Sequence, residues 1–385
     1  MKAHFSRFLG SEPTRLHAAA HSHHPWPDVT FAAHQQAWLD AAAHHDDKWD
    51  VVFGEVLPEA QRHLARRLAL PDPSTVAFGP HTHEFVRRIL SCLPAQPRIL
   101  TTDGEFHSFA RQAARLEEAG RAQVERVAVE PFASFPARFA EAAGRGGHDL
   151  VYLSHVLFNS GYVVPDLPAL VAAVPDPGTY VVVDGYHSFM AVPTDLGTLA
   201  DRIFYVGGGY KYAMAGEGCG FCHCPPGYGT RPVDTGWFAS FGTLTRGGAE
   251  QVAYPPDGRR FLGATLDPTG LYRFNAVQRW LDATGWDVAA IHAHVAGLQA
   301  RLLDRLDHLD VPGVGRATLV PPDGTPDRGN FLCFGVGNAE RAYRRLHDRG
   351  VVTDYRGSRL RIGLGLYHAE GDVDDLAGRL AEALA

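Results

Sequence analysis

Two short stretches hold the residues best suited to chemistry. Val181-Val182-Val183-Asp184-Gly185-Tyr186-His187-Ser188 reads as a buried strand that ends by delivering an acid and a histidine. Downstream, Gly207-Gly208-Gly209-Tyr210-Lys211-Tyr212 reads as a lysine presented on a loop after a second strand. An amine so placed can condense with an aldehyde to a Schiff base. A carboxylate facing an aromatic ring nitrogen keeps that nitrogen protonated, so that the ring accepts electrons. A surface lysine and a turn-capping aspartate would look the same in isolation, so the flanking residues decide.

Four further features converge on an anionic aromatic cofactor, for which pyridoxal phosphate (PLP) is the match to a lysine and an acid. Phe78-Gly79-Pro80-His81-Thr82-His83-Glu84-Phe85 sets a Gly-Pro turn, a threonine and two histidines at the start of a helix. Free N–H groups and the helix dipole there favour a phosphate. Asp103-Gly104-Glu105-Phe106-His107-Ser108 follows a strand with an aromatic residue able to cover a planar ring. Tyr210 sits beside Lys211, where its hydroxyl could reach the same phosphate. Gly236-Trp237-Phe238 and Gly263-Ala264-Thr265 lie in a loop region that could meet a second subunit.

The elements that must position these residues are read from periodicity. Strands are expected at Val76–Phe78, Arg98–Thr101, Val124–Val127, Leu150–Ser154, Tyr180–Asp184, Arg202–Val206 and Gly220–Cys224. Helices are expected between them at Glu84–Leu93, Ser108–Glu118, Phe132–Ala142 and Leu167–Ala173. This alternation predicts an α/β fold, a mostly parallel seven-stranded sheet covered by helices, with ligands at the carboxyl ends of the strands. The Pro/Gly-rich stretch from Pro225 to Gly270 reads as loops. A smaller C-terminal α+β unit is expected from a helix beginning at Leu271, a helix at Val288–Leu309, a strand at Asn330–Val336, a helix at Ala339–Asp348, a strand at Arg359–Ile362 and a closing helix at Val373–Ala385. The division is therefore residues 1–48 as an N-terminal segment with a helix from about Val29, 49–270 as the large cofactor-binding domain, and 271–385 as the small one.

At this point the chain resembles the fold-type I PLP enzymes of the aminotransferase class V superfamily, and within it is most similar to the kynureninase group. Asp184-Gly185-Tyr186-His187 matches that group's Asp-x-x-His. Tyr210-Lys211-Tyr212 with Ala215-Gly216-Glu217-Gly218-Cys219-Gly220 is similar to its Ser-Tyr-Lys-Tyr and Ala-Gly-x-Gly-Gly, and Gly236-Trp237-Phe238 to its Gly-Trp-Phe/Trp. Arg349-Gly350-Val351-Val352-Thr353-Asp354, Leu360-Arg361-Ile362 and Leu366-Tyr367 resemble its C-terminal domain in order and spacing. The likeness runs from about Thr75 to the C-terminus.

The resemblance implies roles for individual residues. Lys211 would be the Schiff-base lysine, Asp184 the partner of the pyridine nitrogen, His187 a hydrogen-bond donor near the cofactor's phenolic oxygen, and Phe106 the ring that stacks on it. Thr82, His83 and Tyr210, with Trp237 or Thr265 from the other protomer, would hold the phosphate. Arg361 would fork onto the substrate α-carboxylate, a bidentate task suited to guanidinium. From residue type rather than from the resemblance, His21, Ser22, His24 and Asn159, with Trp26, are expected to shape the rest of the substrate pocket. The implied activity is a kynureninase-like lyase or hydrolase that breaks a bond at the β or γ position of an amino acid, in a homodimer with shared active sites; class V transamination is the alternative. Three departures stand out. Ala264-Thr265 replaces a Ser-Asn pair, Gly209 replaces a serine, and Ala20–Trp26 matches no family segment, so kynurenine itself is expected to be a poor substrate.

Other classes fit less well. The net charge of −7, from 36 basic and 43 acidic residues, argues against a nucleic-acid partner. No apolar run reaches the length of a membrane span, and the first residues lack the apolar core of a signal peptide, so a cytoplasmic location is expected. Cys219, Cys222, His223 and Cys224 read as a strand with alternating faces rather than a metal site. A metal-dependent hydrolase using His21, His23 and His24 lacks an H-E-x-x-H spacing. The triglycine at Gly207–Gly209 is not a nucleotide loop, because no G-x-G-x-x-G follows the first strand. Cysteine desulfuration needs a cysteine on a mobile loop, whereas Cys333 in Phe331-Leu332-Cys333-Phe334 looks like a buried strand residue.

Overall fold

The protein is described by a computed structural model covering residues 1–240 and 252–385; the middle of the expected loop stretch, 241–251, lies outside the described residues. Seven strands form one sheet: β1 (Val76–Gly79), β2 (Arg98–Thr102), β3 (Gln123–Val127), β4 (Leu150–Ser154), β5 (Tyr180–Asp184), β6 (Ile203–Gly208) and β7 (Gly220–His223). Their order is β1-β7-β6-β5-β4-β2-β3, and β7 runs antiparallel to both its neighbours while the rest are parallel. Each expected strand is present to within two residues at either end. Strand β5 shows why the pattern was readable: Val181 and Val183 enter one apolar core and Val182 the other, so the sheet is covered on both faces.

Strand β6 continues two residues past its expected end, pairing Gly207 with Phe221 and Gly208 with Gly220. Both glycines are required by close packing. A Cβ on Gly207 would lie 2.5 Å from the Phe221 ring, and one on Gly208 would lie 2.8 Å from the Tyr186 ring.

Around this sheet stand α1 (Val29–His44), α2 (Leu57–Arg67), α3 (Thr82–Leu90), α4 (His107–Glu118), α5 (Phe135–Gly144) and α6 (Leu167–Ala172). Helix α2 was not anticipated from the sequence; it buries Leu57, Ala60, Leu64 and Ala65 against the core. Next come α7 (Thr269–Thr284) and α8 (Val288–His308). Helix α7 places Leu271, Phe274, Val277 and Leu281 in the same core as the large sheet.

A second, antiparallel sheet is built from β8 (Phe331–Gly335), β9 (Asp354–Arg356) and β10 (Arg359–Gly363), in the order β9-β10-β8. It packs with α8, α9 (Ala339–His347) and α10 (Glu370–Leu384) around a separate core that includes Leu302, Phe334, Leu346, Leu360, Ile362, Leu376 and Leu380. The N-terminal segment threads into this unit. Leu16–His17 pairs in parallel with Val351–Val352, and Ala19 bridges to Gly363.

Candidate active site

The carboxyl ends of the parallel strands converge on one cavity of about 540 Å³, inside the roughly 300–1,000 Å³ range of small-molecule sites. Strand β5 ends in Asp184 and β4 in Ser154, residues paired in register. Strand β6 leads through Gly209 and Tyr210 to Lys211. Strand β1 leads to the start of α3, and β2 to Phe106. Thr82, His83, Phe106, Asp184, His187, Tyr210, Lys211, Arg361 and Ser22 all line this cavity.

Asp184 accepts hydrogen bonds from the Tyr152 hydroxyl (2.8 Å) and the Tyr186 backbone N–H (2.9 Å). Burial raises its pKa, countered by those two bonds and by Lys211; a cationic ring nitrogen in the cavity would restore the charged form. The Lys211 amine contacts His187 Nε2 and lies 5.4 Å from the Tyr186 ring centroid and 5.7 Å from that of Phe106. Burial, then the Arg361 cation, bring the Lys211 pKa down from 10.5 to about 7, so a large share of the amine is a free nucleophile at neutrality. His187 is held well below the ordinary histidine value, first by burial and then by Lys211 and Arg361, and is neutral.

At the other end, α3 opens toward the cavity. His81 caps it by accepting from the Glu84 N–H, and Thr82 and His83 follow in its first turn. The group implied by the sequence can be tested on these atoms. The buried Nδ1 atoms of His83 and His187 have no protein partner, the helix N-terminus suits a phosphate, and an amine, a carboxylate and an aromatic face surround the space between. This donor set fits PLP.

Arg361 is engaged more fully than its sequence position revealed. It is 3% exposed, and its Nε and Nη2 fork onto both oxygens of Asp354 while Nη1 donates to the Phe158 carbonyl. His21 Nε2 donates to Asp354 Oδ1 at 3.0 Å, and its ring stacks on Phe331. Asp354 is held far below the usual carboxylate range: His21 and Arg361, through charge and hydrogen bonds, overcome the opposing effect of burial. A guanidinium has five N–H groups, so Arg361 has two that Asp354 and Phe158 do not use.

Several expected positions need correcting. His21 does not line the cavity; it sits behind Arg361, so close to β10 that a Cβ on Gly363 would fall 2.1 Å from its Nδ1. His24 is a core residue: it is 2% exposed, donates to the Pro25 carbonyl and packs its ring against Phe5, Tyr212 and Tyr367. Trp26 covers Gly216 and the Arg273 guanidinium rather than the cavity. Asn159 is outside the cavity wall too, and its carbonyl accepts from Arg359 and Cys333. Trp237 and Thr265 hydrogen-bond each other at 3.2 Å on the surface and do not line the cavity of their own chain. Gly209 cannot be the family's serine without movement, since a Cβ there would lie 2.8 Å from that of Ala215 and 3.0 Å from that of Cys219.

Sequence reasoning missed Asp354, Arg356, Tyr152, Ser154, Tyr186 and Glu105. A signal for the first two was present. Gly357-Ser358 is a two-residue hairpin turn, and the resulting register sets Asp354 opposite Arg361. Glu105, in the turn that follows β2, is buried and accepts from Thr102 Oγ1 (2.7 Å) and Ser154 Oγ (2.6 Å); burial pushes its carboxyl up to about 7.

Comparison with known proteins agrees with this architecture. The aminotransferase class-V family model matches residues 51–343. The chain belongs to the class-V aminotransferase family, a family of α/β, fold-type I enzymes with PLP as cofactor. Isopenicillin N epimerase of Streptomyces clavuligerus is 26% identical over 354 residues, covering 86% of this chain and 84% of that protein. Kynureninase of Pseudomonas fluorescens is 29% identical over 248 residues; this match spans 61% of the chain and only 56% of the kynureninase. Among solved structures, the cystine C-S lyase C-DES in complex with cysteine persulfide superposes with a TM-score of 0.82 at 19% identity, covering 97% of this chain and 99% of the lyase. An apo cysteine desulfurase of Thermococcus onnurineus gives 0.81 at 17% identity, covering 99% and 97%. At such identities these structures attest the fold alone. Cys333 is a buried residue of β8, and its thiol donates to the Asn159 carbonyl.

Proposed function

We propose that this is an enzyme that breaks a bond at the β or γ position of an amino acid, with PLP held at Lys211. The observation that carries the reading is the convergence of the Lys211 amine, the Asp184 carboxylate and the Arg361 guanidinium on a single cavity. When bound, PLP supplies an electron sink for charge developing at the substrate Cα. The Asp184 carboxylate, oriented by the Tyr186 N–H and the Tyr152 OH, would keep the ring nitrogen protonated. Lys211 Nζ, with a proton affinity near neutrality, takes and returns the substrate proton. Thr82, His83 and Tyr210 would hold the phosphate, Phe106 would cover the ring, and Arg361 would bind the α-carboxylate with the two N–H groups that Asp354 and Phe158 leave.

The relatives support β/γ cleavage through kynureninase, but the broad match to an epimerase, 84% of its length, favours inversion at Cα as a second reading. The protein is a cytoplasmic homodimer on this proposal, with Trp237 and Thr265 reaching the partner's phosphate site, and divides into 1–48, 49–270 and 271–385. No helix among the described residues is long and apolar enough to cross a membrane.

The test is a visible spectrum of the purified, PLP-loaded protein, with borohydride trapping at Lys211. An amino-acid screen should then follow ammonia, alanine, sulfide, keto acid and loss of optical activity. Release of a side-chain fragment supports cleavage; inversion without release supports the second reading; a colourless protein with no trapped adduct refutes both.

A further inference from the structure

The cavity lining is rich in nitrogen donors relative to carboxylates. Six basic residues line it (His81, His83, His187, Lys211, Arg356 and Arg361) against a single acid, Asp184. The histidines at α3 face the phosphate end, and Lys211 serves the cofactor. On the substrate side the cations are Arg356 and Arg361. Asp354, the nearest acid, is already used: both its oxygens are taken by Arg361, and His21 donates to one of them. Its approach to Arg356 is only 3.7 Å.

Beyond that 3.7 Å ion pair, which has no hydrogen bond, Arg356 is lightly engaged. Its one hydrogen bond to protein is from Nη1 to the neighbouring Tyr355 carbonyl. It is 41% exposed, as expected of a guanidinium at the mouth of a cavity, and near enough to the centre to depress Lys211 and His187. Its position follows from the hairpin. The two-residue turn at Gly357-Ser358 pairs Arg356 with Arg359 and Asp354 with Arg361, and the period of two puts Arg356 and Asp354 on one face. Arg359 turns away to Glu130 and the Asn159 carbonyl, which leaves Arg356 facing the cavity beside Arg361. Asp354 and a substrate α-carboxylate together match the two arginines in charge, but both Asp354 oxygens are hydrogen-bonded to Arg361, so the N–H donors of Arg356 stay available at the cavity.

We propose that Arg356 forms a subsite for a second anionic group, so that the substrate is an amino acid whose side chain carries a carboxylate or sulfinate. The proposal rests on the amino-acid reading above and deepens it by assigning the side-chain end. Guanidinium suits such a group because it can fork onto two oxygens at once.

The experiment is a spectral titration of the PLP-loaded protein, read as the concentration dependence of the absorbance change on mixing rather than as turnover. The probes are L-aspartate, L-glutamate and L-cysteine sulfinate against the neutral L-asparagine, L-glutamine and L-norvaline. The acidic probes should bind at least about tenfold more tightly, the scale of one charge-assisted hydrogen bond. Arg356→Gln should bring that ratio close to one, and Arg356→Lys should restore part of it, since the charge returns without the fork. A ratio near one in the unmodified protein, or one that survives Arg356→Gln, overturns the subsite while leaving the amino-acid reading standing. Failure of every probe to perturb the spectrum overturns both.

Discussion

Replacing Lys211 by methionine in the cofactor-free protein is expected to make the fold more stable, in a way that depends on pH. In the unfolded chain the amine keeps its proton up to its ordinary value of 10.5; in the folded chain, burial and the Arg361 cation bring that down to about 7. Above 10.5 both states are neutral and the amine carries no electrostatic cost. As pH falls from there the unfolded state takes up the proton first, so stability declines until the folded amine also protonates near 7, below which the cost is constant. The drop from 10.5 to about 7 gives a ceiling of about 5 kcal/mol, of which about 4 kcal/mol is expressed at pH 7, and water in the cavity trims it. Lys211→Met removes the charge with an unbranched side chain only one atom shorter. It should therefore stabilise the apoprotein by a few kcal/mol at neutral pH, and the gain should shrink toward zero as pH approaches about 10. Denaturant unfolding of both proteins across that range, with slopes compared to confirm a common unfolded state, measures it directly. Equal stability at pH 7 would refute the reasoning, and a gain that does not vary with pH would assign it to packing instead of charge.

Asp184→Asn should leave PLP bound through Lys211 and the α3 end of the cavity but lower kcat by a factor of about 10² or more; steady-state kinetics beside the absorbance spectrum separates the two effects. Asp354→Ala should cost about 3–5 kcal/mol by stranding the buried Arg361 cation, and should raise KM for every amino acid accepted, read from denaturation and kinetics on one preparation. Arg361→Lys should raise KM likewise, because it keeps the charge and loses the fork. Burial depresses His17 and His24 to about 3 and His21 and His368 to about 4. The unfolded chain protonates these groups first, so stability should fall as pH drops below about 6.5, with each contributing up to roughly 2 kcal/mol by pH 5. A denaturation midpoint unchanged between pH 7 and 5 would contradict that burial.

Most strands of the large sheet were legible because they are short apolar runs, the signature of a sheet buried on both faces; the edge strand Gln123–Val127 was read instead from Val124 and Val127, which flank its polar centre. Asp184 and Lys211 were legible for a related reason, since strand ends are where this architecture presents chemistry. What escaped was set by tertiary contact. Polar residues dominate helix α2, and its apolar stripe of Leu57, Ala60 and Leu64 is narrow. His24 and His21 were placed in the pocket on residue type alone, yet one lies in an aromatic core and the other behind Arg361. Asp354 was passed over because Gly357-Ser358 was not read as a turn; the cross-strand register would have brought it to Arg361.

The hydrogen bond from His21 to Asp354 joins residues 333 positions apart. Chain synthesis proceeds from the N-terminus, so the first two dozen residues emerge long before the strands they lie against. Leu16, Ala18 and Ala20 take their backbone partners from Gly350, Val352 and Gly363, and Arg361 acquires its His21-supported anchor only when those partners exist. The large sheet can close around its own core earlier, because its strands all lie between residues 76 and 223. The order of assembly is thus fixed by connectivity: a nascent chain halted before Asp354 could present Lys211 and Asp184 without Arg361, and would be able to engage a cofactor before it could hold an amino acid.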